Sequence, residues 1–438
     1  MLALLLTLFI GQDRPASKAQ AVVSQLAQGD YAAVEAQFTD KMKAALPVDR
    51  LAETWKAVIA QAGAFKQQLG VDEQSAGGFQ ITLVHCEFER ARADIQVVVD
   101  QEGHVAGLFV RPAAAAVAAS PLPPYAIASA YSAEEITVGS RQWPLPATLT
   151  LPTGTGPFPG VVLVHGSGPN DRDETVGANK PFRDLAVGLA SRGIAVLRYE
   201  KRTKVFGAKL ASIPNLTVKE ETIDDVVLAV EALRKQPKID PSRVFVLGHS
   251  LGGMLVPRIG AADSKIAGLI VMAGAVRPLE QAILDQTRYL AMLDGTISPE
   301  EQDAIAQAQK LVDEVRALTP ADAKHRRLIS GAPASYWLDL RGYDPPAAAS
   351  RLTQPLLILQ GERDYQVTMD EFARWKEALG QRPDVELRSY PALNHLFISG
   401  TGRSLPSEYS VPGYVDEAVI RDIAAWITRR GASPPQSR

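Results

Sequence analysis

The chain has one cysteine in 438 residues, so Cys86 has no partner for an internal disulfide and reads as a half-buried strand residue. No His/Cys group has the ligand spacing of a structural zinc site, and no metal or other cofactor is expected. Charge of one sign is also lacking. Acidic residues number 49 against 46 basic ones, a net of −3, which leaves no electrostatic basis for binding nucleic acid or an anionic membrane. With 46% hydrophobic and 22% charged residues, the composition excludes a mainly disordered or fibrous chain. The length exceeds one compact domain and suits two or three.

The N-terminal apolar run, Leu2 to Ile10, is interrupted only by Thr7. It falls far short of the ~20 residues of a stable membrane span. It fits the apolar region of a signal peptide, although no Lys or Arg precedes it and Gly11-Gln12-Asp13-Arg14 offers no small-residue cleavage site. Residues 1–14 are therefore a candidate signal peptide. Export to the periplasm or beyond is the expectation, with a cytoplasmic protein as the alternative. A lack of disulfides does not conflict with export.

Pro112, an Ala/Val run and Pro121-Leu122-Pro123-Pro124 interrupt every periodic pattern, so 112–133 reads as a semi-rigid linker. Ahead of it, over 15–111, helical periodicity fits Ala19 to Leu26, Ala32 to Phe38 and Leu51 to Ala62. Then the period becomes two, with Ile81, Leu83, His85 and Glu87 alternating with Thr82, Val84, Cys86 and Phe88. Ile95 to Val99 and Val105 to Val110 follow as strands around a turn at Gln101-Glu102-Gly103. Helices followed by a meander predict a small α+β domain. It carries no catalytic constellation, and His85 and His104 read as surface or core histidines. Such a domain would bind a partner, dimerise or fence the second domain's site.

Beyond the linker, over 134–430, strands and helices alternate. Val161 to Val164 and Ile194 to Leu197 are continuous apolar runs, as strands buried on both faces of a parallel sheet require. Pro181 opens a helix that Gly193 stops, and Thr217 with Glu220 forms a capping box. Val244 to Leu247, Leu269 to Met272 and Leu356 to Leu359 bring the strands to at least five, and Val419, Ile423, Trp426 and Ile427 mark a closing helix. The pattern predicts an α/β fold with a doubly wound, mostly parallel sheet. From about 278 to 346 no buried strand appears, only the helical segments Leu279 to Leu293 and Pro299 to Leu318. An insertion at that point sits above the strand C-termini and reads as a lid or pocket wall. Residues 431–438 read as a disordered tail.

Gly248-His249-Ser250-Leu251-Gly252-Gly253 follows directly on a strand. The glycines suit a sharp strand-to-helix turn, which would lift the Ser250 hydroxyl clear of the sheet. Pro257 suggests a short or kinked helix after it. A serine nucleophile needs a base, and the base an orienting carboxylate, in chain order Ser, acid, His. Only His325 and His395 lie beyond Ser250, and His325 sits in the basic stretch Lys324-His325-Arg326-Arg327. His395, in a loop before the closing helix, is the candidate base. Asp364, just past the strand ending at Gln360, is the candidate acid, with Glu362 and Asp370 as substitutes. Backbone N–H groups of Leu251 and Ser167 are candidate oxyanion donors, the latter from the loop Val164-His165-Gly166-Ser167-Gly168-Pro169. His165 reads as a buttress of that turn. The charged run Asn170 to Glu174 reads either as a solvated loop or as one that orders the site through Arg198, Lys201 or Arg202.

Three stretches, His165 to Glu174, Leu197 to Thr203 and Gly248 to Gly253, closely resemble bacterial α/β-hydrolase-fold carboxylesterases of the esterase D type. The resemblance spans roughly Glu134 to Arg429. The preceding segment, with Gly29-Asp30-Tyr31 and Leu51-Ala52-Glu53-Thr54-Trp55, resembles the small α+β domain of uncharacterised role that often precedes this hydrolase. It implies an α/β-hydrolase fold and ester hydrolysis on a small-molecule substrate, with the nucleophile on Ser250, the acid on Asp364 and the base on His395. Glu200 departs from the family, where aspartate is expected. A thioesterase, an aminoacyl-peptidase or an inactive binding scaffold is the alternative, and a homo-oligomer through the first domain is one further expectation.

Overall fold

The computed structural model describes residues 15–76, 79–112, 121–210, 213, 215–324, 328–329 and 332–430. The candidate signal peptide, His325 and the C-terminal tail lie outside them. The chain divides into two units, Met1–Ala119 and Ser120–Arg438. Among the described residues, no helix is long and apolar enough to cross a membrane.

The first unit is α+β. Four helices, α1 (Pro15–Gln28), α2 (Tyr31–Ala36), α3 (Asp40–Ala45) and α4 (Val48–Ala62), precede four strands, β1 (Phe65–Ala76), β2 (Phe79–Phe88), β3 (Arg92–Val99) and β4 (Val105–Pro112). The strands form one antiparallel sheet in chain order. Asp30 and Thr39 begin α2 and α3 by accepting the free amides of Ala33 and Met42. On β2 the inward set is Thr82, Val84, Cys86 and Phe88. It packs with Val22, Leu26 and Trp55 from the helices in one apolar cluster, apart from Thr82. Cys86 is fully buried rather than half-buried.

The second unit is built on eight strands: β5 (Tyr131–Ser140), β6 (Trp143–Pro152), β7 (Phe158–Val164), β8 (Ala195–Tyr199), β9 (Ile239–His249), β10 (Gly268–Met272), β13 (Leu356–Gly361) and β14 (Val385–Tyr390). Between them run α5 (Pro181–Ala190), α6 (Arg202–Leu210), α7 (Asp224–Arg234), α8 (Leu251–Ala262) and α14 (Met369–Leu379), with α15 (Glu417–Arg429) closing the chain. Spatial order is β14-β13-β10-β9-β7-β8-β6-β5. The six strands from β14 to β8 run parallel; β6 is antiparallel to β8, and β5, antiparallel to β6, returns to the common direction. Alternate residues of each central strand serve opposite faces. Val161 and Leu163 meet α5 and α15 through Phe182, Leu185, Ile423 and Trp426. Val162 and Val164 belong to the other face, with Val230, Leu255 and Trp375 of α7, α8 and α14.

From β7 the chain winds first to β8 on one side and then to β9 on the other. The C-terminal ends of β7 and β9 thus flank the point where the winding reverses, where a doubly wound sheet opens a crevice. Above that edge lies the insertion: α9 (Leu279–Ala291), α10 (Pro299–Ala317), α11 (Pro320–Lys324), α12 (Ala334–Arg341) and α13 (Pro345–Ala349). It also contains a two-residue ladder of β11 (Leu328–Ile329) and β12 (Ala332–Pro333), which its helical periodicity does not reveal. Glu220 bonds back to the Thr217 N–H at 2.9 Å, as a capping box requires, but Thr217 Oγ1 takes the Lys219 N–H, and a π turn over Lys219–Ile223 precedes α7. The helix after the serine turn is not short: α8 runs 12 residues and continues past Pro257.

Candidate active site

Ser250 lies between the end of β9 and the first residue of α8, with φ 54° and ψ −118°. A non-glycine residue is strained there, and the neighbouring glycines explain how it is held. A Cβ on Gly248 would lie 2.3 Å from the Gly252 carbonyl oxygen, and one on Gly252 2.3 Å from that of Val164. Neither position has room for any side chain. The turn leaves Ser250 half-buried, and its N–H is held by the Met272 carbonyl at 3.0 Å. The Leu251 N–H, in the first turn of α8, has no carbonyl within its own helix to bond.

Asp364 stands just beyond β13 with its side chain wholly buried. Its Oδ1 accepts the N–H groups of Gln366 (2.8 Å) and Val367 (3.0 Å), and Oδ2 accepts from Gln360 Nε2 (3.2 Å). Oδ2 also lies 2.7 Å from His395 Nδ1. Donors surround the carboxylate on every side, an arrangement that suits its ionised form and leaves His395 Nε2 as the free ring nitrogen. Glu362 and Asp370 are both exposed, and Glu362 accepts from Ser389 instead.

The loop after β7 lies against the serine turn. A Cβ on Gly166 would meet Ser250 Cβ at 3.1 Å and Oγ at 3.6 Å. His165 is buried, its ring packed on Phe182 and Tyr199 at 5.0 and 5.3 Å. Burial pushes it down to about 4, so it buttresses the turn as a neutral ring.

The charged run is structural rather than solvated. Asp173 pairs with Arg198, and Arg172 with Glu135 and Glu200, the last at 2.8 Å from Nε. Glutamate at 200 therefore still supplies the carboxylate. Lys201 and Arg202 turn elsewhere, to Glu221 and Asp225. Glu174 is buried with φ 51°. Its Oε1 accepts the Gly166 N–H at 2.6 Å, and Oε2 lies 2.8 Å from His249 Nδ1. His249 Nε2 lies 3.0 Å from the His395 carbonyl oxygen, and the two rings are 4.7 Å apart. Both nitrogens of His249 thus face acceptors. Burial opposes charge on either member of this pair, but their attraction outweighs it. His249 titrates above its usual 6.5 and Glu174 below its usual 4.5. Sequence patterning gave no role to His249, and Glu174 entered it only as part of the charged run, with Arg198, Lys201 or Arg202 as the expected partners rather than His249. The available signal was a charged side chain next to the loop glycines and a ring between Gly248 and Ser250.

Beside this loop, a cavity of about 490 Å³ reaches beneath the insertion, lined by Gly168, Pro169, Leu216, Leu279, Tyr336 and Trp337. Elsewhere, Asp100, Glu102 and His104 cluster at the β3–β4 turn. Asp100 there already accepts the amides of Glu102 and His104, which accounts for the cluster without a metal.

Esterase EstD of Thermotoga maritima is 40% identical over 407 residues, 93% of this chain and 94% of the relative. The chain belongs to the EstD esterase family. Like that family, it is a serine hydrolase of the α/β-hydrolase fold. Residues 182–411 match the prolyl oligopeptidase family, and residues 19–108 match a family described as protein of unknown function (DUF3887). A monoacylglycerol lipase of Mycolicibacterium smegmatis is 27% identical over 42% of this chain and 61% of its own. Among solved structures, an esterase of Pyrococcus furiosus covers 70% of this chain and 97% of its own at 15% identity, with a TM-score of 0.44.

Proposed function

We propose that this EstD-family esterase cleaves carboxylic esters of short to medium acyl length through an acyl-enzyme on Ser250. Its nucleophile, base and acid are Ser250, His395 and Asp364, and its oxyanion donors are the N–H groups of Leu251 and Ser167. The observation that carries the assignment is the 2.7 Å contact between buried Asp364 and His395 Nδ1, while Ser250 occupies the strained turn after β9. His395 Nε2 takes the Ser250 proton as Oγ bonds to the ester carbonyl carbon, and the carbonyl oxygen gains the negative charge. Asp364 keeps the ring in the required tautomer and stabilises its charged form. The intermediate collapses, the bond to the alcohol oxygen breaks, and His395 gives that oxygen its proton. Water repeats the sequence and releases the acid. The acyl group is assigned to the apolar cavity beside Gly168, whose 490 Å³ lies in the lower part of the range for small-molecule sites.

The test is a series of p-nitrophenyl esters of rising acyl length, run beside p-nitroanilide peptides and acyl thioesters. A pre-steady-state burst with acetate to octanoate esters, absent in Ser250→Ala, is the expected result. Turnover confined to the anilides or thioesters would overturn the ester assignment.

Two coarser proposals accompany this. Export rests on the apolar run Leu2 to Ile10, and N-terminal sequencing of the protein from its native host tests it. Self-association through the first unit rests on its exposed Leu69, Phe79 and Phe109. Light scattering after gel filtration, with Phe109→Ser as the control, tests that.

A further inference from the structure

We infer that Lys201 and Glu174 are positioning residues, which together clamp Gly166 so that the Ser167 N–H points at the developing oxyanion. The inference rests on the proposed role of that N–H as a donor. The Gly166 carbonyl and the Ser167 N–H are two ends of one planar peptide, and in a trans peptide they point in opposite directions. The only cis peptide among the described residues is Gly156–Pro157. Whatever fixes the Gly166 carbonyl therefore fixes the Ser167 N–H.

Lys201 does this from inside the protein. It is 2% exposed, and its Nζ donates to the Gly166 oxygen at 2.8 Å. Its charge is balanced by Glu221 Oε1 at 3.0 Å, and Glu221 Oε2 accepts the Tyr336 hydroxyl at 2.8 Å. Tyr336 belongs to the insertion and lines the apolar cavity. The preceding peptide is fixed from its other side, since the Gly166 N–H donates to Glu174, also 2% exposed. Glu174 in turn holds His249, which reaches the backbone carbonyl of His395.

Two buried ion pairs thus end on one glycine, one at its carbonyl and one at its amide. A general stabilising role does not explain that convergence, because a buried pair contributes little over well-packed apolar residues of similar size. Fixed orientation of an oxyanion donor does explain it, since a donor already aimed at the charge need not reorganise as the charge forms. The absence of a side chain at 166 belongs to the same device. A Cβ there would crowd both Glu174 Oε1 (3.2 Å) and Ser250 Cβ (3.1 Å).

The experiment compares full-length Lys201→Met, Lys201→Met/Glu221→Gln, Glu174→Ala, Glu174→Gln and Ser250→Ala with wild type. Thermal melting, and kcat and KM on p-nitrophenyl acetate, are measured for each. The double variant covers the case in which Lys201→Met strands a buried Glu221 and does not fold. A misplaced donor should lower kcat by about a hundredfold with KM within about threefold. Glu174→Ala should behave alike, whereas Glu174→Gln, which still accepts the Gly166 N–H, should recover kcat to within about fivefold of wild type. Folded lysine variants with wild-type kcat would overturn the clamp, as would a Glu174→Gln no better than Glu174→Ala. An inactive Ser250→Ala beside fully active lysine variants would remove the clamp alone. A fully active Ser250→Ala would remove the nucleophile assignment beneath it.

Discussion

The hydrogen bonds around Asp364 say what its replacement should do. Asp364→Asn presents an amide to His395 Nδ1, favours the wrong tautomer, and should lower kcat by about 10⁴ with the fold intact. Single-turnover acylation is the measurement. The buried His165 and His249 are shifted in opposite directions. His165, pushed down to about 4, is neutral in the fold and charged in the unfolded chain below 6.5, so its burial removes stability as pH falls from 6.5 to about 4. His249 is raised and Glu174 lowered, so their pairing contributes fully between pH 4.5 and 6.5. That contribution is lost as pH rises through the raised value of His249 or falls through the lowered value of Glu174. The melting-temperature gap between wild type and His249→Gln should therefore be widest within that window and narrow above it. The placement of Ser250 after β9 and of Asp364 after β13 was legible because each sits at the end of a strong local pattern. Glu174 and Lys201 were not, because their partners lie far along the chain: His249 is 75 residues from Glu174, and Gly166 is 35 from Lys201. Sequence order named Arg198, Lys201 and Arg202 as alternatives for pairing with the charged run, and only spatial proximity separates Arg198 from the other two.

Among the elements, the turn joining β9 to α8 has the least room. Gly252→Ala would set a Cβ against two carbonyl oxygens, those of Val164 and His165, at 2.3 and 2.7 Å. Backbone on both sides cannot yield as a side chain would. The variant should lose about 1–3 kcal/mol and a larger share of activity, because the displaced residues lead into the oxyanion loop. Urea unfolding beside esterase assays checks both effects. The buried parallel strands β7, β8, β9, β10 and β13 were legible as unbroken apolar runs. Others were masked by their composition. β6 carries Pro144, Pro146 and Pro152, and β5 exposes Ala133, Glu134 and Glu135 along one stretch. β1 is largely polar, and β14 is only half-buried along its whole length. The edge strands β1, β5 and β14 lack the two-sided burial that makes a central strand recognisable.

Over the whole molecule, every residue assigned to the chemistry lies in the second unit, which has a core on each face of its own sheet. A fragment starting at Ser120 should therefore unfold cooperatively and keep kcat on short aryl esters within about threefold of full length. Calorimetry and steady-state kinetics on the fragment check this. The first unit carries its own reporter. Burial pushes the Cys86 thiol up to about 12, with Asp94 adding to the effect. Native protein should thus be inert to a disulfide reagent at pH 8 and react with one equivalent once that unit unfolds. The α+β character of this unit was legible from its change of period, and its role was not, since no reactive constellation accompanies the change.

The central claim is that Ser250 carries the acyl group, and covalent labelling tests it most directly. Native protein is treated with a fluorophosphonate, digested and mapped by mass spectrometry beside Ser250→Ala. A single adduct on the peptide containing Ser250, formed at a rate that falls with Asp364→Asn and absent from Ser250→Ala, is the expected result. An adduct on another residue, or equal labelling of folded Ser250→Ala, would contradict the account.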